Sequence, residues 1–173
     1  MINIILQIVL LFATSFSSPN FIEVVPSHIE SNISNAPTTK ESRLRSGIVK
    51  SARSLIGADY VYGGTTPKGF DCSGFVAYVL SEYGYNAGRS SSNIASKGLY
   101  IPRNSVNEGD LLFFGYGEKI THVAIASKVS RKGEISIIHS TTSKGVIEEN
   151  FSDSAYWKSK YMFARDIITK SRR

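Results

Sequence analysis

Three side chains in this sequence have the types needed for nucleophilic attack on a carbonyl: Cys72, His122 and His139. A thiol attacks only as its thiolate, so a catalytic cysteine needs a base, and the base needs a group to orient it. Cys72 is the only cysteine among 173 residues. That excludes an intrachain disulfide and any zinc site built on paired cysteines. A lone thiol is either buried and structural or reactive, and its flanks, Asp71 and Ser73, suit burial poorly. His28 lies in a polar stretch near the N-terminus, which leaves His122 and His139 as candidate partners.

The elements that must position these groups can be read from periodicity. Thr38 and Glu41 have capping-box spacing. Leu44, Ile48, Ala52, Leu55 and Ile56 then recur at helical intervals up to Gly57. After a Gly- and Pro-containing loop, Cys72, Phe75, Val76, Val79, Leu80 and Tyr83 form a second helical series closed by Gly84. Cys72 therefore falls in the first turn of a helix. The helix dipole there is expected to favour the thiolate and lower its pKa, and the unpaired first-turn amides could hold an oxyanion. Gly74 would let another segment or a ligand come close. A shorter helix is expected over residues 91–97.

Beyond Pro102 the pattern changes to strands, expected at residues 110–114, 122–127, 135–139 and 161–165. Side chains alternate along a strand, so His122, Ala124 and Ala126 share one face, where the small alanines leave room for a helix. If the second and third of these strands pair as an antiparallel hairpin, His122 and His139 become neighbours at one end of the sheet. Helices first and strands later predict an α+β domain, with N-terminal helices packed on an antiparallel β-sheet.

The rest of the chain bounds the setting. Residues 4–16 are almost wholly apolar and uncharged, and small and polar residues follow them. A stretch this short fits an export signal, taken as residues 1–18, better than a membrane span of ~20 residues. No stable membrane span is expected in the mature form. Residues 19–39 are expected to be a linker and residues 40–170 a single domain. The net charge of +6 suits an anionic partner such as a cell envelope. No nucleic-acid-binding signature occurs, so no nucleic-acid partner is expected.

Several strings resemble the NlpC-type (p-sixty) family of cell-wall cysteine peptidases. They are Tyr60-Val61-Tyr62-Gly63-Gly64, Gly69-Phe70-Asp71-Cys72-Ser73-Gly74-Phe75-Val76 and Arg89-Ser90-Ser91, then Gly109-Asp110-Leu111-Leu112-Phe113-Phe114, Thr121-His122-Val123-Ala124-Ile125 and Ile138-His139-Ser140. The resemblance implies a papain-like core and hydrolysis of peptidoglycan stem peptides, between D-glutamate and a diamino acid. It implies a secreted, periplasmic or envelope location, and no metal or organic cofactor. Carried over, Cys72 is the nucleophile, His122 the base and His139 the orienting third member. Tyr62 falls near the oxyanion site, and Asp71, Ser73, Arg89 and Ser90 fall in the substrate-binding region. The order Cys, His, His favours a peptidase over permuted lipid-acting relatives. A non-catalytic wall-binding module and a thiol amidase or acyl transferase are the alternatives. Gly63-Gly64 is expected to make a tight turn, Gly115-Tyr116-Gly117 a hairpin turn or cleft rim, and Trp157 to serve packing.

Overall fold

The computed structural model describes residues 39–169. The expected export signal and the expected linker up to residue 38 lie outside the described residues. Helix α1 (Thr39–Ser54) begins on the last residue assigned to the linker. It buries Ile48, Val49 and Ala52, and also Arg45. A guanidinium tolerates that burial only when its charge is met. Here Nη1 lies 2.6 Å from Asp110 and Nη2 lies 2.8 Å from Asp166, with a further bond to the Thr169 hydroxyl.

A two-residue ribbon, β1 (Thr65–Thr66) and β2 (Gly69–Phe70), leads into α2 (Cys72–Ser81). The apolar series predicted for α2 is buried: Phe75, Val76, Val79 and Leu80 all face the core. Helix α3 (Ser91–Ala95) is two residues shorter than the pattern predicts. The strands are β3 (Leu99–Ile101), β4 (Leu111–Tyr116), β5 (Lys119–Val129), β6 (Ile135–Thr141), β7 (Gly145–Asn150) and β8 (Tyr161–Asp166). Helix α4 (Ala155–Lys160) precedes β8. They form one antiparallel sheet in the order β3-β8-β4-β5-β6-β7. The four predicted strands are present; β3, β7 and α4 were not anticipated.

The sheet separates two apolar layers. On one face, α1 and α2 pack against Leu111, Phe113, Val123, Ile125 and Ile138. On the other, Leu112, Phe114, Ala124, Ala126 and Ile137 pack with Phe151 and Trp157. The helix that uses the room on the His122-Ala124-Ala126 face is α4, through Trp157, while the nucleophile's helix α2 packs on the opposite face. The small alanines make room for aromatic rings: Phe114 has Phe151, Trp157 and Tyr161 edge-on around it, at centroid distances of 5.0–6.1 Å.

Two irregularities in β5 prepare the site. Against β4, Phe114 pairs with His122 but Gly115 pairs with Ile120, so Thr121 is an extra residue immediately before His122. Such a bulge turns the strand and re-aims the next side chain. Against β6, the ladder runs from Val129 only as far as Ile125. The N-terminal half of β5 is thus free of β6, and the start of α2 comes up to that opening.

Candidate active site

Cys72 stands at the first position of α2, held there by Asp71. The Asp71 backbone is extended (φ −87°, ψ 174°), and its Oδ1 accepts the Gly74 N–H at 2.6 Å, as an N-cap does. The same carboxylate accepts the Gly63 N–H at 3.1 Å and the Ser73 hydroxyl at 3.0 Å. Arg89 grips it with two N–H groups, at 3.1 and 2.7 Å, and also donates to Ser73 Oγ at 3.1 Å. Burial works to raise the Asp71 pKa, but Arg89 and the Gly74 and Ser73 donors outweigh it and hold the carboxyl below its usual range. Asp71, Ser73 and Arg89 thus form one connected cluster beside the nucleophile.

Glycine is required next to it for a steric reason. A Cβ on Gly74 would collide with the carbonyl oxygen of Gly64, and Asp71 N–H donates to that same oxygen at 3.1 Å. The expected turn at Gly63-Gly64, closed by a Gly64 N–H bond to the Val61 carbonyl at 2.8 Å, is therefore packed directly on the first turn of α2. The close approach read from Gly74 is made by this segment of the chain.

The other two candidates meet as the sequence predicts. His122 Nε2 and His139 Nδ1 are 2.8 Å apart. In register terms His139 lies opposite Ala124, one step beyond the Ile125–Ile138 pair, so it sits diagonally from His122 on the same face. The backbone N–H of Val123, the residue after His122, acts on the Cys72 thiol and favours its thiolate. Cys72 and His122 both line one open cleft of about 540 Å³.

Not every predicted residue reaches that cleft. Tyr62, expected near the oxyanion, is 91% exposed and is not among the cleft residues. Tyr60 lines the cleft instead, because the bridge between Tyr60 and Phe70 turns it toward Cys72. Alternation along Tyr60-Val61-Tyr62 offers two tyrosines, of which Tyr60 faces the cleft and Tyr62 faces solvent. Ser90 is occupied as the N-cap of α3, accepting the Asn93 N–H at 3.1 Å. Tyr116 lies on the cleft wall at the end of β4, with Lys160 Nζ 5.0 Å from its ring centroid.

Two residues behind the histidines were missed. Trp157, expected to serve packing, lies flat over His122, with centroids 4.7 Å apart and planes at 26°. Glu149 Oε1 is 2.8 Å from His139 Nε2 and accepts the Trp157 indole N–H at 2.8 Å. Alternation along Glu148-Glu149 was the available signal: Glu148 points to Arg53 on α1 (2.8 Å), and Glu149 to the histidine face. It could be used only once β7 was recognised as a strand.

Charge in this site differs from the simple helix-dipole expectation. Burial pushes the Cys72 thiol up, and the neighbouring Asp71 charge adds to this; the amides of Val123, Ser73 and Cys72 itself oppose them without prevailing. Burial pushes His122 down to about 3, helped by His139. Burial also lowers His139, against the upward pull of the Glu149 carboxylate. At rest the pair is a thiol and a neutral imidazole. That suits proton transfer during attack, with the imidazole as general base.

Residues 57–166 match the family model described as NlpC/P60 family. Gamma-DL-glutamyl hydrolase of Bacillus subtilis is 37% identical over 149 residues, covering 83% of this chain and 34% of its own length. Murein DD-endopeptidase MepS/Murein LD-carboxypeptidase of Escherichia coli is 35% identical over 116 residues, covering 66% of this chain and 58% of its own. The chain therefore spans between a third and three fifths of these two curated relatives. The crystal structure of the NlpC/p60 domain of peptidoglycan hydrolase SagA aligns with a TM-score of 0.59 at 35% identity, covering 70% of this chain and 97% of that one. The fold is the papain-like α+β fold of such domains.

Proposed function

Since this chain belongs to the NlpC/P60 family, we propose that it is an exported thiol endopeptidase that hydrolyses peptidoglycan stem peptides between D-glutamate and a diamino acid. The observation that carries the reading is the meeting of Cys72 and His122 in one cleft, with His139 Nδ1 hydrogen-bonded to Nε2 of His122, which leaves Nδ1 of His122 for the thiol.

In this reading His122 Nδ1 takes the proton of the Cys72 thiol as sulfur attacks the amide carbonyl. Negative charge gathers on the carbonyl oxygen. The first-turn amides of α2 and the hydroxyl of Tyr60, on the cleft wall, are the donors that would meet it. The imidazolium then gives its proton to the leaving amine as the C–N bond breaks, leaving a thioester on Cys72. Water attacks the thioester and loses its proton to His122. As the C–S bond breaks, that proton returns to sulfur, and the acid is released. Every proton is accounted for by one imidazole.

The cleft chemistry fits a peptide rich in carboxylates. Lys144 and Lys160 stand among its lining residues, and the Asp71–Arg89–Ser73 cluster lies beside the nucleophile. A diamino acid with a carboxylate on its side chain would meet those lysines better than one without. The export signal, residues 1–18, belongs to this proposal too. Among the described residues, no helix is long and apolar enough to cross a membrane.

The test is digestion of defined muropeptides by the purified chain and by Cys72→Ala, with products followed by mass. Cleavage after D-glutamate that disappears in the variant is the expected result. A folded, reduced protein that releases no product from any muropeptide would overturn the proposal. Products without added water would move the reading to acyl transfer.

A further inference from the structure

Glu149 is joined to the site by two hydrogen bonds of its own and a third one ring further on, and the direction of each can be derived. The indole N–H of Trp157 can only donate, so Oε1 of Glu149 is an acceptor. His139 Nε2 lies 2.8 Å from that same oxygen and must therefore carry its proton there. A neutral imidazole has one N–H, so His139 Nδ1 is then an acceptor. His122 Nε2, 2.8 Å from it, must donate. The proton of His122 is thus on Nε2, and its Nδ1 lone pair is the one left for the thiol.

We infer that Glu149 is a positioning residue that sets the tautomers of both histidines, so that His122 presents a basic nitrogen to Cys72. This rests on the reading of His122 as base. Without an acceptor at position 149, His139 could hold its proton on Nδ1. It would then donate to His122 Nε2 and push the His122 proton onto Nδ1. That tautomer cannot accept a proton from sulfur. A wrong tautomer in an intact site is among the costlier single lesions known for an imidazole base. The Glu149 carboxylate also faces His139 with negative charge, which stabilises the imidazolium forming one ring away. His139 is fully buried, while the Glu149 side chain is 34% exposed at the cleft, so the charge enters from the solvent side without itself being entombed.

The experiment is long-range proton–nitrogen NMR of the histidine rings in the full chain, for the wild type, Glu149→Ala, Glu149→Gln and Trp157→Phe, with muropeptide kinetics alongside. The wild type is expected to show both rings protonated on Nε2. Glu149→Ala should shift His122 toward the Nδ1–H form and lower kcat roughly 100-fold or more, with KM little changed. Glu149→Gln keeps an acceptor oxygen, so it should hold the tautomer and lose less. Trp157→Phe should leave both tautomers in place. A wild-type His122 protonated on Nδ1, or tautomers unchanged in a folded Glu149→Ala, would overturn the inference. The NMR result needs no substrate. Absence of muropeptide cleavage by the wild type would therefore count against the endopeptidase reading alone.

Discussion

The Trp157 indole covers the His122 imidazole face to face at 4.7 Å, and this contact shields the base from water on one side. Trp157 is the only tryptophan in the chain, so its fluorescence reports on His122 directly. A protonated imidazole quenches a stacked indole more than a neutral one. With His122 held down to about 3, emission should stay flat from pH 8 to pH 5. A quenching step centred near 6.5 would show that the ring titrates as an ordinary histidine.

The raised pKa of Cys72 predicts how it meets an alkylating agent. The rate with iodoacetamide should climb about tenfold per pH unit from pH 6 to pH 9, following the thiolate fraction. A plateau reached by pH 6 would reveal a preformed thiolate–imidazolium pair and contradict the resting state described above.

Neutral burial of His122 makes the fold acid-sensitive. Its folded pKa, about 3, lies below the unfolded value of about 6.5, so the unfolded chain binds the proton first as pH falls. The contribution to stability is complete above pH 6.5 and is lost on acidification. Between pH 7 and pH 5 the loss is about 2 kcal/mol from this group. Urea titrations at the two values should show it, and His122→Phe should flatten the difference. An equal slope in the variant would place the acid sensitivity elsewhere.

Gly74→Ala should do more damage than a helix-favouring change normally does. The added methyl would meet backbone, the Gly64 carbonyl, which cannot swing aside as a long side chain could. The Gly63-Gly64 turn or the start of α2 must shift, and Cys72 moves with it. Activity should fall at least about tenfold even where the fold survives, since small misplacements of reacting groups are costly. A variant with wild-type kinetics would show that the turn is looser than its contacts imply.

Asp71 separates two roles that sequence alone could not rank. Asp71→Asn keeps an N-cap acceptor but gives up the ion pair with Arg89, whereas Asp71→Ala loses both. The alanine variant should lose about 1 kcal/mol of stability beyond the asparagine one, read from melting curves. Both should raise KM for stem peptides, if the cluster with Arg89 faces substrate. Unchanged KM in both would confine Asp71 to capping.

Much of this architecture could be read in advance because it obeys simple periods. The apolar series from Phe75 to Leu80 and the alternation after His122 carried the second helix, the main hairpin and the meeting of the two histidines. The misses share a cause, in that contacts distant in sequence decided them. Strand β7 carries Glu148 and Glu149 side by side, a weak strand signal, yet pairing with β6 holds it. Tyr60 and Tyr62 are equivalent by type, and only the bridge to Phe70 chooses between them. The Cys72 pKa went the other way because burial outweighs the amides at the helix start.

The buried Arg45 has a topological consequence. Its guanidinium binds Asp166 at the end of the last strand and Thr169 just beyond, while the helix that bears it begins only six residues earlier. Entry and exit of the domain are therefore brought to one place, as in a nearly closed ring. Ends so placed allow circular permutation: a peptide joining residues near 39 and 169, with new termini opened at the exposed Gly117 turn, should refold around the same cleft. The same closure lets a longer polypeptide carry such a domain at either end, or in its middle, without threading through the site.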